Sequence, residues 1–245
     1  MKKIALITGA SGGIGAATAK ALAKNGCDVI LHYNSNEEKV QKLKKEITEL
    51  YAVEAHTLRA DLSVPSAAEA LGKDALSLCG KVDILVNNAG LAYQELFQFA
   101  DKSRVRELFE VNLMSTMGLA QVLVPSMINN RFGKIINVSS MWGISGASCE
   151  VHYSASKSAL IGFTKALAKE LGPSGINVNC VAPGYIDTEM NSAFDESTVK
   201  EIADSTPLMR IGTPEDVAEL IAFLADDSAS FITGQTVAVD GGLCI

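Results

Sequence analysis

Short apolar runs alternate with longer amphipathic ones along the whole chain. Runs of strand length cover residues 3–8, 27–33, 55–60, 82–86, 134–138, 177–181 and 236–239. Between them the apolar spacing becomes helical over residues 14–25, 37–51, 104–129, 152–171 and 214–224. Strand and helix in turn imply right-handed βαβ crossovers, and hence a parallel sheet covered on both faces. The pattern predicts one Rossmann-like, doubly wound α/β domain of about seven strands over residues 1–245. Residues 184 to about 204 show no clear element. Long spans of that kind are usually functional or disordered; here Asp187, Glu189, Met190 and Phe194 suit a lid that closes over ligand and excludes water.

Composition narrows the class without changing the fold. The 48% hydrophobic and 20% charged content is that of a soluble globular protein. Cys27, Cys79, Cys149, Cys180 and Cys244 are odd in number and form no CxxC pair, which argues against a disulfide framework and against a zinc or other metal site. Met-Lys-Lys followed by Ile-Ala-Leu-Ile has the opening of a signal peptide. The apolar run stops at Thr8-Gly9, however, with no small-residue cleavage pattern behind it. No apolar stretch reads as long enough to span a bilayer, so the expected location is the cytoplasm. A net charge of −7 disfavours nucleic acid and anionic membrane surfaces as partners.

The loops after the strands carry the candidate chemistry. Thr8-Gly9-Ala10-Ser11-Gly12-Gly13-Ile14-Gly15 lies between the first strand and the first helix, where glycines permit a sharp turn and the helix N-terminus presents N–H groups to a pyrophosphate. After the second strand, where an NAD enzyme often carries an acid for the ribose 2′-hydroxyl, stand Tyr33-Asn34-Ser35-Asn36. The missing carboxylate favours NADP(H) over NAD(H). Asn34 and Ser35 either bond the 2′-phosphate or simply start the next helix. Asp61-Leu62 is placed to meet an adenine edge or, alternatively, to open a turn before Pro65. Asn87-Asn88-Ala89-Gly90 suits loops tied by side-chain amides, with room for a ribose. Asn112 falls inside a helical pattern that asparagine disfavours, which suggests a kink or a bound water.

Tyr153 and Lys157 are one helical turn apart and share a face. An ammonium about 5 Å from the phenol oxygen, at an effective dielectric of about 20, favours the phenolate by roughly 3 kcal/mol. That brings a tyrosine pKa of about 10 toward about 8 and makes the side chain a general acid or base near neutrality. Ser140 stands where its hydroxyl can hold a substrate oxygen beside that phenol. Glu150, three residues before Tyr153, is either a carboxylate facing a cationic substrate or a solvated or helix-capping residue. Met141, Trp142 and Cys149 read as pocket walls, and His152 as a surface residue.

TGASGGIG, NNAG, Asn112, Ser140, Tyr153, Lys157 and Pro183-Gly184 with Ile186 and Thr188 stand in the order of the short-chain dehydrogenase/reductase family, which the chain resembles from Lys3 to Gly242. The resemblance implies a nicotinamide-dependent oxidoreductase. In it Ser140 orients a carbonyl, Tyr153 donates a proton, Lys157 tunes the tyrosine and holds the nicotinamide ribose, and Asn112 anchors a proton-relaying water. VDILVNNAG, INVNCVAPG and ITGQTVAVDGG are most similar to bacterial 3-oxoacyl-acyl-carrier-protein reductases, which commonly recognise their carrier with two arginines. Only Arg131 matches; the other position is Ser174. WGISGASCEVHYSASK resembles the 5-aminopentanone reductases that act on elongation factor P. The expected activity is therefore reduction of a ketone to a secondary alcohol on a 3-oxoacyl-carrier-protein substrate, with the protein-bound 5-aminopentanone of elongation factor P as the alternative. A catalytically silent nicotinamide-sensing module is the reading from another class, and it is disfavoured by the intact Ser/Tyr/Lys set. The family also implies a homotetramer. Leu108, Val111, Leu119, Ala159 and Phe163 are the apolar residues expected to remain for subunit contacts, with the apolar C-terminus through Ile245 as a second interface.

Overall fold

The computed structural model describes residues 2–191 and 195–244. In chain order its elements begin with β1 (Ile4–Ile7), α1 (Gly13–Lys24), β2 (Asp28–Tyr33), α2 (Glu37–Leu50), β3 (Ala55–Arg59), α3 (Ala67–Cys79) and β4 (Ile84–Asn87). They continue with α4 (Lys102–Phe109), α5 (Ser115–Asn130), β5 (Gly133–Val138), α6 (Trp142–Ser145) and α7 (Val151–Leu171). Last come β6 (Ile176–Pro183), α8 (Glu196–Ser205), α9 (Pro214–Ala225) and β7 (Thr236–Val239). The strands form one parallel sheet in the order β3-β2-β1-β4-β5-β6-β7. Strand order reverses between β1 and β4, which opens a crevice at the carboxyl ends of the central strands.

Strand periodicity sends alternate residues to the two faces. Ile7, Val29, Leu31 and Val86 pack under Leu22, Val40, Ile47 and Ile221 of α1, α2 and α9. Leu6, Ile30, Leu85 and Ile135 pack under Leu71, Leu119, Leu123 and Leu171 of α3, α5 and α7. Every residue of β4 and β5 is buried, as expected where helices cover both faces. At Gly72 a Cβ would lie 2.9 Å from Val122, so a glycine lets α3 and α5 approach closely.

Four departures from the sequence pattern have physical causes. Helix α3 went unrecognised because its buried stripe, Ala68, Leu71, Gly72 and Ala75, is built mostly of small residues. Helix α8 falls within the span read as irregular; Asp195 starts it by accepting the Thr198 N–H at 2.8 Å, and none of its residues is buried enough to give an apolar signal. Phe194, assigned to the lid, lies outside the described residues. Leu108, Val111 and Leu119 are buried within the chain and do not remain for subunit contacts. The span Lys102–Asn130 is apolar and long enough to cross a membrane by length and composition, contrary to the expectation that no stretch is. Its Leu119, Leu123 and Met127 pack in the core beside α3, which accounts for that composition.

The same span is interrupted by a π-helical segment, Glu110–Met114, at whose centre Asn112 is fully buried. The kink expected at this asparagine is thus an extra residue in the helix, a device frequent at functional sites.

A buried polar chain fixes α7 against the sheet. Asn87 Nδ2 donates to Asn137 Oδ1 at 2.9 Å, Asn137 Nδ2 donates to Thr164 Oγ1 at 2.9 Å, and Thr164 donates to the Leu160 carbonyl at 2.8 Å. Asn137→Ala would strand a buried donor on Asn87 and an acceptor on Thr164. The expected loss of stability is about 2 kcal/mol or more, read by urea denaturation; an unchanged midpoint would show that the chain does not lock the helix.

Candidate active site

The glycine turn between β1 and α1 lies at the switch point. Gly9 takes φ +66°, a conformation that favours glycine. Its N–H donates to His32 Nδ1 at 3.1 Å and its carbonyl accepts from Asn88 Nδ2 at 3.2 Å. His32 Nε2 lies 3.1 Å from the Ala60 carbonyl. One ring nitrogen therefore accepts and the other donates, which is the neutral ring, and burial pushes the His32 pKa down to about 4. A Cβ on Gly15 would stand 2.2 Å from the Gly9 carbonyl oxygen. Helix α1 begins with no side-chain cap and no acid in its first turn, so its N–H groups and dipole meet an anion unopposed.

A cavity of about 640 Å³ extends from this turn to Tyr153 and Lys157. Gly9, Ser11, Gly13, Ile14, Gly15, Asn34, Ser35, Leu62, Asn88, Ala89, Gly90, Pro183, Gly184, Ile186 and Thr188 all line it, as the sequence predicts. Asp61 does not. Its carboxylate accepts from the Ser63 N–H at 3.0 Å and from the Ser63 hydroxyl at 2.7 Å, so it opens the turn, and Ser63 lines the cleft in its place. Asn88 ties two loops as expected, donating from its backbone to Thr8 Oγ1 and from its amide to the Thr8 carbonyl, each at 2.9 Å. The uncapped helix, the glycine cradle and the length of the cleft fit a nicotinamide dinucleotide. The α1 turn would hold its pyrophosphate, Asn34 and Ser35 its adenosine ribose, and Tyr153 and Lys157 its nicotinamide end.

At the far end Ser140, Tyr153 and Lys157 converge. Gly143 brings the segment after β5 onto α7, since a Cβ there would lie 2.6 Å from Ser139 Oγ and 2.9 Å from the Lys157 carbonyl carbon. The Ser140 hydroxyl accepts from the Trp142 N–H at 3.1 Å and faces the Tyr153 phenol. The Lys157 ammonium donates to the Val138 carbonyl at 2.9 Å and stands 5.8 Å from the centre of the Tyr153 ring. Burial pushes Tyr153 up to about 12; the Ser140 hydroxyl opposes that rise and the Glu150 carboxylate adds to it. Burial pushes Lys157 down to about 8. The expected depression of the tyrosine by the lysine is therefore not found. Loss of water dominates for both groups, and the ammonium is directed to a backbone carbonyl.

The Asn112 side chain is engaged by the protein at both of its polar atoms. Its Oδ1 accepts from the Leu91 N–H at 2.7 Å, and its Nδ2 donates to the Leu91 carbonyl at 2.9 Å and to Ser156 Oγ at 3.1 Å. With both amide hydrogens used, the side chain clamps the loop after β4 onto α7. Gly90 completes the packing, because a Cβ there would lie 3.2 Å from Lys157 Nζ and 3.3 Å from Asn112 Oδ1. Sequence reasoning missed His32, Ser63 and the Val138 carbonyl. Only the position of His32 next to the end of a buried strand, before a ligand loop, signalled it.

A second cavity, of about 500 Å³, adjoins Tyr153 and is lined by Ser140, Met141, Trp142, Glu150, Tyr185 and Met190 among others. Glu150 is half-buried, makes no side-chain cap bond to α7, and has its pKa raised by burial. Trp142 and Tyr185 meet edge to face at 6.3 Å between ring centres. Cys149 is not part of this wall, and His152 stacks on Phe97 at 5.2 Å.

A parallel sheet with a glycine cradle at its switch point, leading to a buried Ser/Tyr/Lys set, defines a nicotinamide-dependent oxidoreductase. The family model described as enoyl-(acyl carrier protein) reductase matches residues 9–244, and the chain belongs to the short-chain dehydrogenase/reductase family. It is 43% identical over 242 residues to the uncharacterized oxidoreductase YmfI of Bacillus subtilis, covering 99% of each chain. It is 43% identical over 241 residues to the 3-oxoacyl-[acyl-carrier-protein] reductase FabG of Rickettsia conorii, covering 98% of this chain and 96% of that one. Among solved structures, a blue fluorescent protein from a metagenomic library in complex with NADPH superposes with a TM-score of 0.93 at 34% identity, covering 99% of this chain and 98% of that one. YwfH, an NADPH-dependent reductase involved in bacilysin biosynthesis, superposes with a TM-score of 0.92 at 28% identity over the same shares. The protein is an NAD(P)-dependent reductase.

Lys157 also makes the site costly to fold. Between about pH 8 and 10.5 the unfolded chain binds a proton at this lysine that the folded chain does not, so its contribution to stability rises with pH across that window. Below it, the folded protein holds a desolvated ammonium. Lys157→Met is expected to raise the unfolding free energy at pH 7 by up to about 3 kcal/mol, with the gain shrinking above pH 8 while turnover is lost. Urea titrations at pH 7 and 10 check this, and a methionine variant less stable at pH 7 would refute it.

Proposed function

We propose that the enzyme uses NADPH to reduce a ketone carried on an amine-bearing chain, such as the 5-aminopentanone group on a lysine of elongation factor P. The observation that carries this reading is the half-buried Glu150 carboxylate in the same cavity as Ser140 and Tyr153. A carboxylate removed from water is costly unless a cation meets it, and Trp142 and Tyr185 add aromatic faces that favour an ammonium group. A neutral acyl chain would gain nothing from that carboxylate.

Bound NADPH supplies the hydride that reaches the carbonyl carbon. Ser140 holds the carbonyl oxygen beside the Tyr153 phenol. A phenol held near pKa 12 keeps its proton at neutral pH, and it donates that proton to the oxygen as negative charge develops there, since an alkoxide is far more basic than a phenolate. Burial of the phenol keeps bulk water from the transfer. The product is a secondary alcohol. NADPH is preferred because neither Asn34 nor Ser35, the residues that follow β2 directly, carries the carboxylate that selects a ribose 2′-hydroxyl.

A 3-oxoacyl thioester on acyl carrier protein is the second reading, favoured by the identity to FabG of Rickettsia conorii. Against it, Arg131 caps α5 beside the Ser174-Gly175 turn without a second arginine, on a chain of net charge −7. The two readings separate in one assay. Glu150→Gln should lower kcat/KM for an amine-bearing ketone roughly tenfold or more and leave acetoacetyl thioester reduction within about twofold, whereas Tyr153→Phe should lower both at least about a hundredfold. Equal loss on both substrates in the glutamine variant would remove the cationic reading.

We also propose a homotetramer. Met114, Met117 and Ile128 are exposed along α5 and the π segment, as are Phe223 on α9 and Phe231 in the loop before β7. Apolar surface of this kind commonly marks an interface. Ile245, the terminal residue assigned to the second contact, lies outside the described residues. Light scattering at micromolar concentration should give four times the chain mass; a monomer mass would overturn the assembly.

A further inference from the structure

We propose that Arg59, at the end of β3, supplies the cation that grips the 2′-phosphate of NADPH and so sets cofactor preference. The inference rests on the NADPH reading above and goes beyond it by naming a residue on a strand that the glycine turn and the β2 loop do not include. Pairing of β3 with β2 sets Arg59 opposite Tyr33, and the Arg59 Nε–H donates to the Asn34 carbonyl at 2.9 Å. That bond occupies one of the five donors of a guanidinium. It fixes the group beside the Asn34–Ser35 turn, where both residues line the cofactor cleft, with the Nη groups as the forked edge that suits phosphate oxygens.

Other sources of positive charge at this corner are weaker. The first turn of α2 carries Glu37 and Glu38, and its N-terminus is capped by Asn36, so this helix end repels an anion. Lys39 is paired with Glu189. His32 is neutral by its two hydrogen bonds. Asp61, whose carboxylate accepts from Ser63, also feels the Arg59 charge as the weakest of the influences on it. A 2′-phosphate entering beside Glu37 and Glu38 needs a cation, and Arg59 is anchored where it is needed.

Calorimetric titration with NADPH, NADH, adenosine 2′,5′-bisphosphate and 5′-AMP tests this without turnover. Arg59→Met should weaken NADPH and the bisphosphate roughly tenfold or more and leave NADH and 5′-AMP within about twofold. Arg59→Lys, which keeps the charge, should recover much of the loss. If phosphorylated and unphosphorylated ligands weaken together, Arg59 merely anchors the turn and the proposal falls. Unchanged affinity for all four ligands, in an enzyme that still prefers NADPH, overturns the proposal while the NADPH reading stands. A parent enzyme that binds NADPH and NADH equally overturns both.

Discussion

An ammonium group at 4% exposure, hydrogen-bonded to a single strand-end carbonyl, is the arrangement on which the rest of this site depends. Keeping Lys157 there requires β5 to end at Val138, so that a backbone oxygen faces the helix. It requires Gly90 to bring the loop after β4 within contact distance, and it requires Asn112 to hold that loop. The same exclusion of water acts on Tyr153, which therefore keeps its proton until a stronger base is formed beside it. Stability is given up at one lysine so that a phenol and a carbonyl can meet in a dry pocket.

Most of the framework was legible in the sequence because strand-and-helix alternation is a strong signal when both faces of a sheet are covered. All seven strand runs correspond to strands of one sheet, and the glycine turn, the Asn88 loop and the Ser/Tyr/Lys set come together. What escaped is instructive. Helix α3 buries alanine and glycine where periodicity looks for leucine. The tyrosine's pKa was misjudged because a Coulomb estimate between two side chains leaves out desolvation, which here dominates both groups. Asp61 opens a turn, the second of its two sequence readings, and Asn112 bonds Leu91, a neighbour distant in the chain though close in space.

The two ends of the cleft are built differently. At the cofactor end, backbone atoms pack so closely that a single Cβ at Gly15 would collide with a carbonyl oxygen. At the substrate end the wall is made of side chains, Trp142, Glu150, Tyr185 and Met190, carried on the segments after β5 and β6. Changes there alter which ketone fits and leave the dinucleotide cradle intact, which is how one framework serves many reductases.

The π segment at Glu110–Met114 acts as a phase shifter. Each residue of an α-helix turns the chain by about 100°, so one residue more or fewer between α4 and α5 rotates everything beyond it by that angle. With the extra residue in place, Leu108 before it and Leu119 and Leu123 after it all point inward. Deleting a single residue within those five would carry Ala120 and Val124 to the places of Leu119 and Leu123, smaller side chains where the core now holds leucine. A length change of one codon at this point is therefore equivalent to two core truncations made at once.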